Sequence, residues 1–279
     1  MITITRKYFL IILIIIPSFV FAQGFRDLDT STTEPQNLDV SIFRAINNGR
    51  NGFSDAVIPI TDKSVLPVAI TLPLMLGAVS RINDNYYEGN TAALMLLSEV
   101  TSSAVVFGLK NIIKRERPYA TLKDVYFNKN NSPTDRYSFP SGHTATAFSM
   151  ATILTLRYPD EPFVIAGSFL YAGFVGYGRM YLGVHYPSDV FTGMLIGAGS
   201  SALMYSLRKE IINAKNNLFN EPNRPDSDNH NFSPAFYLAG FILTDFINYK
   251  LLKSNLGILS NTSVSVDPNY GRIIFTKGF

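Results

Sequence analysis

GRMYLGVHYPSD, residues 178–189, joins two apolar runs of this 279-residue chain, Pro162–Tyr177 and Val190–Ser206, and sets Arg179, His185 and Asp189 at the junction. Asp189 follows His185 by four residues, and Pro187 between them suits the first turn of the next helix. That spacing lets a carboxylate hold one imidazole nitrogen while the other stays free. Two further stretches lie outward toward the N-terminus. Pro140-Ser141-Gly142-His143 opens an apolar run, and Lys110, followed by Arg117-Pro118, closes another. Two of the three histidines of the chain fall inside these stretches. Apart from Asp189, the charged side chains of the set are all donors to an anion.

A phosphate ester presents up to two negative charges on its outer oxygens, and its cleavage rests on positioned cations and backbone N–H groups. Arg117 and Arg179 can each grip two oxygens with a planar fork, whereas Lys110 acts as a point charge. Ser141 and Gly142 precede a helical run, so free N–H groups there can bind the anion, with a hydroxyl from Ser141 and close backbone approach at Gly142. His185 is the candidate nucleophile, with Asp189 orienting it, and His143 is left to protonate the departing alkoxide. Taken singly, the basic residues read as a solvated turn and either histidine as a structural one; the three stretches together reverse both readings. His230 sits in a polar linker and carries no such role.

The three stretches resemble the motifs of the type 2 phosphatidic acid phosphatase superfamily, which also contains bacterial acid phosphatases and vanadium-dependent haloperoxidases. The first motif is a lysine, six residues and Arg-Pro. The second is Pro-Ser-Gly-His. The third is an arginine, five residues, a histidine, three residues and an aspartate. The similarity covers about residues 40–206. It implies a phosphohistidine intermediate on His185 and a lipid-linked phosphate or diphosphate substrate: phosphatidate, phosphatidylglycerol phosphate, undecaprenyl diphosphate or a lipid A phosphate. The third motif usually opens with Ser-Arg, and this chain has Gly178 before Arg179.

The apolar runs predict the fold class: an all-α bundle of five to six core helices, membrane-embedded, with a C-terminal β-hairpin. Five segments carry it, Val65–Ser80, Thr91–Leu109, Tyr137–Leu156, Pro162–Tyr177 and Val190–Ser206, and Glu99 is the single formal charge among them. Helices of a soluble bundle show a polar stripe with lysines and glutamates, and these lack one. The competing reading is a soluble exported bundle. Leu38–Asn48 reads as a short amphipathic helix. The chain divides into a signal peptide (1–22), a lead-in with that helix (23–64), the catalytic bundle (65–206), a polar linker (207–231) and an appendage (232–279) that contains an apolar patch, Phe232–Leu243, and the hairpin.

Arg6-Lys7, the apolar stretch to Phe21 and Val20-Phe21-Ala22 form the pattern of a cleavable secretory signal. Up-and-down threading then places all three motifs on one side of the bundle, facing the periplasm from the inner membrane; the alternative is a soluble periplasmic protein. With no cysteine, disulfides and thiolate metal sites are excluded. The net charge of +3 shows no broad basic surface, which argues against nucleic acid as a partner. No His-Glu-x-x-His run or aspartate cluster is present, so no metal and no cofactor are expected. The expected partners are the lipid phosphate and the membrane, and no protein partner is indicated. Three alternatives compete with a membrane lipid phosphatase: a soluble non-specific acid phosphatase, a haloperoxidase holding vanadate in the same cradle, and a non-catalytic scaffold that binds phosphate head groups.

Overall fold

Three prolines, Pro59, Pro67 and Pro73, lie inside one long helix in a computed structural model of the chain, α2 (Gly52–Asn83). The structure describes residues 37–127, 133, 135–227, 262–267 and 272–277. The signal pattern, His230 and the patch Phe232–Leu243 lie outside these residues. Proline inside a helix removes a hydrogen bond and is tolerated mainly in apolar surroundings where neighbouring groups re-satisfy the backbone. The apolar run was placed at Val65–Ser80, and the helix that contains it begins earlier, at Gly52, within the stretch placed in the lead-in.

The other elements follow from local signals. Helix α1 (Leu38–Asn48) is capped by Asn37, whose side chain accepts from the Val40 N–H at 2.9 Å. Helix α3 (Tyr86–Ile113) ends at Lys114, which takes the left-handed conformation at φ 53°. A single turn, α4 (Pro118–Thr121), follows with its proline at the first position. Helix α5 (Gly142–Arg157) starts five residues later than its apolar pattern, with Ser141 before it in an extended conformation. Helices α6 (Pro162–Tyr181) and α7 (Pro187–Ser206) also open on proline. Helix α8 (Arg208–Phe219) lies where a linker was expected; it is polar and buries Ile212 and Asn216. Strands β1 (Thr262–Asp267) and β2 (Arg272–Lys277) pair antiparallel, with Thr262 opposite Lys277 and Asp267 opposite Arg272.

The described residues form two units, one within residues 37–69 and 94–214, the other within residues 70–93 and from 215 onward. In the first, α5 packs most extensively against α7. The contact is built on small residues. A Cβ at Gly197 would lie 2.1 Å from the Ala145 carbonyl oxygen, and one at Gly193 would lie 2.5 Å from that of Ser141. Val65, Ala147, Ala151, Ala172 and Val175 form one core cluster, and Val40, Phe43, Leu122 and Tyr186 bind α1 to the motif end of the bundle. In the second unit, Glu221 pairs with Arg81 and Lys215, each at 2.6 Å, and Arg224 stacks over Tyr86.

Among the described residues, α2 and the α3–α4 stretch are each long and apolar enough to cross a membrane. The pair α7 and α8, bent by 68°, meets the same measure if taken as one span. Leu66 and Leu74 on α2, and Leu97, Val100 and Phe107 on α3, expose their side chains, whereas Leu94, Met95, Ser98 and Ser102 turn inward. An outward apolar face on helices of this length is the composition of a membrane protein. The five apolar segments of the sequence fall within α2, α3, α6 and α7 and across the start of α5. Helix α5 has 16 residues, at the low edge of what spans a bilayer.

Candidate active site

All eight motif residues fall in the first unit, at the motif end of the bundle. Lys110 closes α3, Arg117 precedes α4, Ser141 and Gly142 open α5 with His143 behind them, Arg179 ends α6, and Asp189 lies in the first turn of α7. His185 stands in the connection between α6 and α7. That connection turns at Gly183, φ +78°, where a Cβ would come 2.5 Å from the Tyr126 carbonyl oxygen. Only glycine fits there. Asn47 holds the same turn from α1, its amide donating to the carbonyls of Tyr126 (3.1 Å) and Tyr181 (3.0 Å).

His185 is buried with its two nitrogens in different surroundings. Arg117 Nη1 lies 3.2 Å from Nε2 and also donates to the Val184 carbonyl at 2.9 Å. A guanidinium can only donate, so Nε2 must carry a lone pair and the ring proton sits on Nδ1. Nδ1 faces Asp189 Oδ2 at 3.6 Å, longer than a hydrogen bond, and has no such partner among the described residues. Burial, followed by the charges of Arg117, Arg179 and Lys110, holds the imidazole well below its usual range. His185 is therefore neutral at pH 7. Asp189 does double duty, because Oδ2 also accepts from the Tyr186 N–H at 2.8 Å and so caps α7.

Around His185 the cations converge. Lys110 Nζ reaches Asp135 at 3.2 Å and the Tyr137 carbonyl at 2.5 Å, and Arg117 Nη2 reaches the same Asp135 oxygen at 2.7 Å. Burial alone would raise the Asp135 pKa, but Lys110 and Arg117 outweigh it and hold the carboxyl below its usual value. Arg179 pairs with Asp62 of α2, and its buried Nε has no hydrogen-bond partner among the described residues. The Arg179 carbonyl accepts from the N–H groups of Val184 and His185, which ties the third motif to itself. His143, Gly142, Lys110 and Asp135 line one cavity of about 250 Å³ with Val65, Leu66, Ser102 and Val106.

Three sequence details read differently in three dimensions. Ser141 Oγ is buried and bonded to Thr144 Oγ1 at 2.8 Å, so its hydroxyl points into the helix start. A Cβ at Gly142 would make only ordinary contact with Val106, so protein packing alone does not demand glycine there. At Gly178 a Cβ would sit 2.9 Å from Ile58 Cγ2. The place of the usual serine is filled by a buried isoleucine of α2.

Four charged residues escaped the sequence reading: Asp39, Asp62, Arg115 and Asp135. Arg115 Nη1 donates to Asp189 Oδ1 and to Ser188 Oγ, each at 2.7 Å, and Nη2 to Asp39 Oδ2 at 2.6 Å. Arg115 lies between Lys110 and Arg117 and was the one with a signal. Asp39, Asp62 and Asp135 come from a helix start, a proline-rich helix and a loop, where one sequence offers no spacing rule. Among the described residues no group of three His, Asp or Glu side chains is arranged to hold a metal.

A family model described as the PAP2 superfamily matches residues 91–212. LpxE of Aquifex aeolicus, a solved structure, is 30% identical, with a TM-score of 0.50, over 63% of this chain and 99% of that one. The chain belongs to the PAP2 superfamily. An undecaprenyl-diphosphatase of Sulfolobus acidocaldarius is 35% identical over 102 residues, 36% of this chain and 48% of that protein. A lipid A 1-phosphatase of Porphyromonas gingivalis is 33% identical over 108 residues, 37% of this chain and 21% of that one. The chain thus spans half or less of the length of these curated relatives.

Proposed function

We propose that this protein is a membrane phosphatase that hydrolyses a lipid-linked phosphate or diphosphate through a phosphohistidine on His185, without a metal ion, at a site facing the periplasm. The observation that carries the reading is the donor contact from Arg117 to His185 Nε2, which requires that nitrogen to be unprotonated; Arg117 must turn from it to the phosphate oxygens before the lone pair can attack. A neutral imidazole beside three cations is a nucleophile with its electrophile's binding site already built.

In the first step Nε2 bonds to phosphorus as the bond to the leaving oxygen breaks, and His143 gives that oxygen a proton. Burial and the charge of Arg179 hold the His143 pKa at about 4, so the ring must take up that proton together with the phosphate dianion, whose charge favours the imidazolium. Arg117, Arg179 and Lys110 hold the outer phosphate oxygens, with the N–H groups at the start of α5. The phosphorylated ring is cationic, and Asp189 faces the proton on Nδ1. In the second step water attacks phosphorus as the Nε2–P bond breaks and its electron pair returns to Nε2; His143 takes the water's proton, and inorganic phosphate leaves. Asp62 and Asp135 occupy donors that the phosphate needs and must yield to it. The cations supply the charge compensation that a metal would otherwise provide, which supports a metal-free reaction. The lipid substrate is supported by the relatives' names and the apolar faces of α2 and α3. The outward face is supported by the signal-like N-terminus and the threading of the helices.

A phosphoenzyme test addresses the nucleophile. Brief mixing with a ³²P-labelled substrate, followed by base quenching, should trap a base-stable, acid-labile label on wild-type protein and on His143→Ala. His185→Ala should carry none and lose at least ~10³-fold in kcat, as removal of a nucleophile does. Label retained in His185→Ala would assign the nucleophile elsewhere.

A further inference from the structure

Asp39 lies in none of the three motifs, yet it stands one residue away from Asp189 in a row of charges. Its Oδ1 accepts from the Ser188 N–H at 2.8 Å, and its Oδ2 accepts from Ser188 Oγ at 2.7 Å and from Arg115 Nη2 at 2.6 Å. The opposite edge of that guanidinium donates to Asp189 Oδ1 at 2.7 Å, while Asp189 Oδ2 faces His185 Nδ1 at 3.6 Å. The Arg115 guanidinium is also stacked 3.9 Å over the Tyr186 ring. Asp39, Asp189 and His185 are all buried.

The sign of each charge decides what the row can do. Asp189 alone would oppose the positive charge that His185 gains when Nε2 bonds to phosphorus. Arg115, 2.7 Å from Asp189, cancels that charge as seen from the ring. Asp39 restores it, because one guanidinium shared by two carboxylates leaves one net negative charge beside the imidazole. Sharing also fixes geometry: Arg115 is pulled toward Asp39 on one edge and can engage only Oδ1 of Asp189 on the other. Without Asp39 the fork is free to take both Asp189 oxygens and draw Oδ2 away from Nδ1.

We propose that Asp39 is a positioning residue that keeps Asp189 electrostatically and geometrically available to His185, so that helix α1 is part of the catalytic device. The inference rests on the reading of His185 as the nucleophile. It assigns α1 a role in turnover and none in gripping phosphate, since Asp39 touches neither Lys110, Arg117 nor Arg179 in the structure.

The test uses the full-length protein in detergent, with kcat, KM, vanadate inhibition and thermal midpoint measured for each variant. Asp39→Asn should lower kcat by about 10- to 100-fold, the range seen when an orienting partner of a metal-bound histidine is lost. Vanadate should bind as tightly as to wild type or more tightly, because a negative charge has left a cationic site. Adding Arg115→Gln to Asp39→Asn removes the surplus positive charge and should raise kcat above that of Asp39→Asn alone. A kcat for Asp39→Asn equal to wild type would overturn the proposal, as would vanadate affinity and thermal midpoint falling together with kcat. Should Asp39→Asn fail to fold, the double variant is compared with wild type directly. A folded double variant within about tenfold of wild-type kcat supports the role, and one as inactive as Asp189→Asn overturns it. Wild-type protein that releases no phosphate would sink the phosphatase reading itself, whereas active wild type and equally active Asp39→Asn would sink only the role of Asp39.

Discussion

At the residue scale the proposed reaction sets carboxylates and phosphate in contest for the same donors. Asp135 is half-exposed and holds Lys110 and Arg117 through one oxygen. A phosphate must displace it, so Asp135→Asn should tighten inhibition by vanadate or phosphate by about three- to tenfold, the gain from removing one opposing charge near a surface. Weaker inhibition in that variant would show that Asp135 organises the cradle. His185 gives a second prediction. Its pKa is held well below the ordinary 6.5, so the ring takes up its proton only at a pH well below that value. ¹⁵N-histidine NMR should show the His185 ring neutral, protonated on Nδ1, at pH 6.5 and below, with its signals assigned by their loss in His185→Gln. A ring half-protonated at pH 6.5 would contradict the burial and cation argument. The motif residues were legible in sequence because their spacing encodes their chemistry. Asp39, Asp62 and Asp135 were not, because tertiary packing alone brings them to the cations.

At the element scale the decisive contact is α5 against α7, which sets His143 relative to His185. It depends on glycine where backbone meets backbone. Gly197→Ala would push a methyl to 2.1 Å from the Ala145 carbonyl and 2.8 Å from the Ser149 nitrogen. Neither atom is the end of a flexible side chain, so the helices must separate. That should cost about 1–3 kcal/mol and lower the thermal midpoint. A midpoint equal to wild type would mean that the crossing is looser than described. Most helices were legible from their apolar runs, and α1 was legible to both ends from the spacing of its apolar residues. The front of α2 was hidden by its prolines and charges, and α8 by its asparagines and lysines, because local propensity points away from helix at those positions and packing overrides it.

At the scale of the whole molecule the apolar outer faces of α2 and α3 suit a bilayer, and the proposed outward-facing site makes a prediction about sidedness. The chain has no cysteine, so single cysteines report sidedness cleanly. One at Lys123, near the motifs, should react with an impermeant thiol reagent in intact spheroplasts. One at Asp160, in the turn between α5 and α6, should react only after the membrane is opened. Labelling of both would point to a soluble exported bundle, and the reverse pattern would place the site on the cytoplasmic side. The most direct measurement is phosphate release by the purified protein in lipid nanodiscs, from lipid phosphates, lipid diphosphates and soluble phosphate esters, with a metal chelator present throughout. The account predicts turnover of at least one lipid substrate in chelator, a marked preference for it over soluble esters, and no turnover by His185→Ala. Activity that vanishes in chelator and returns with a divalent ion, or that persists in His185→Ala, would contradict it.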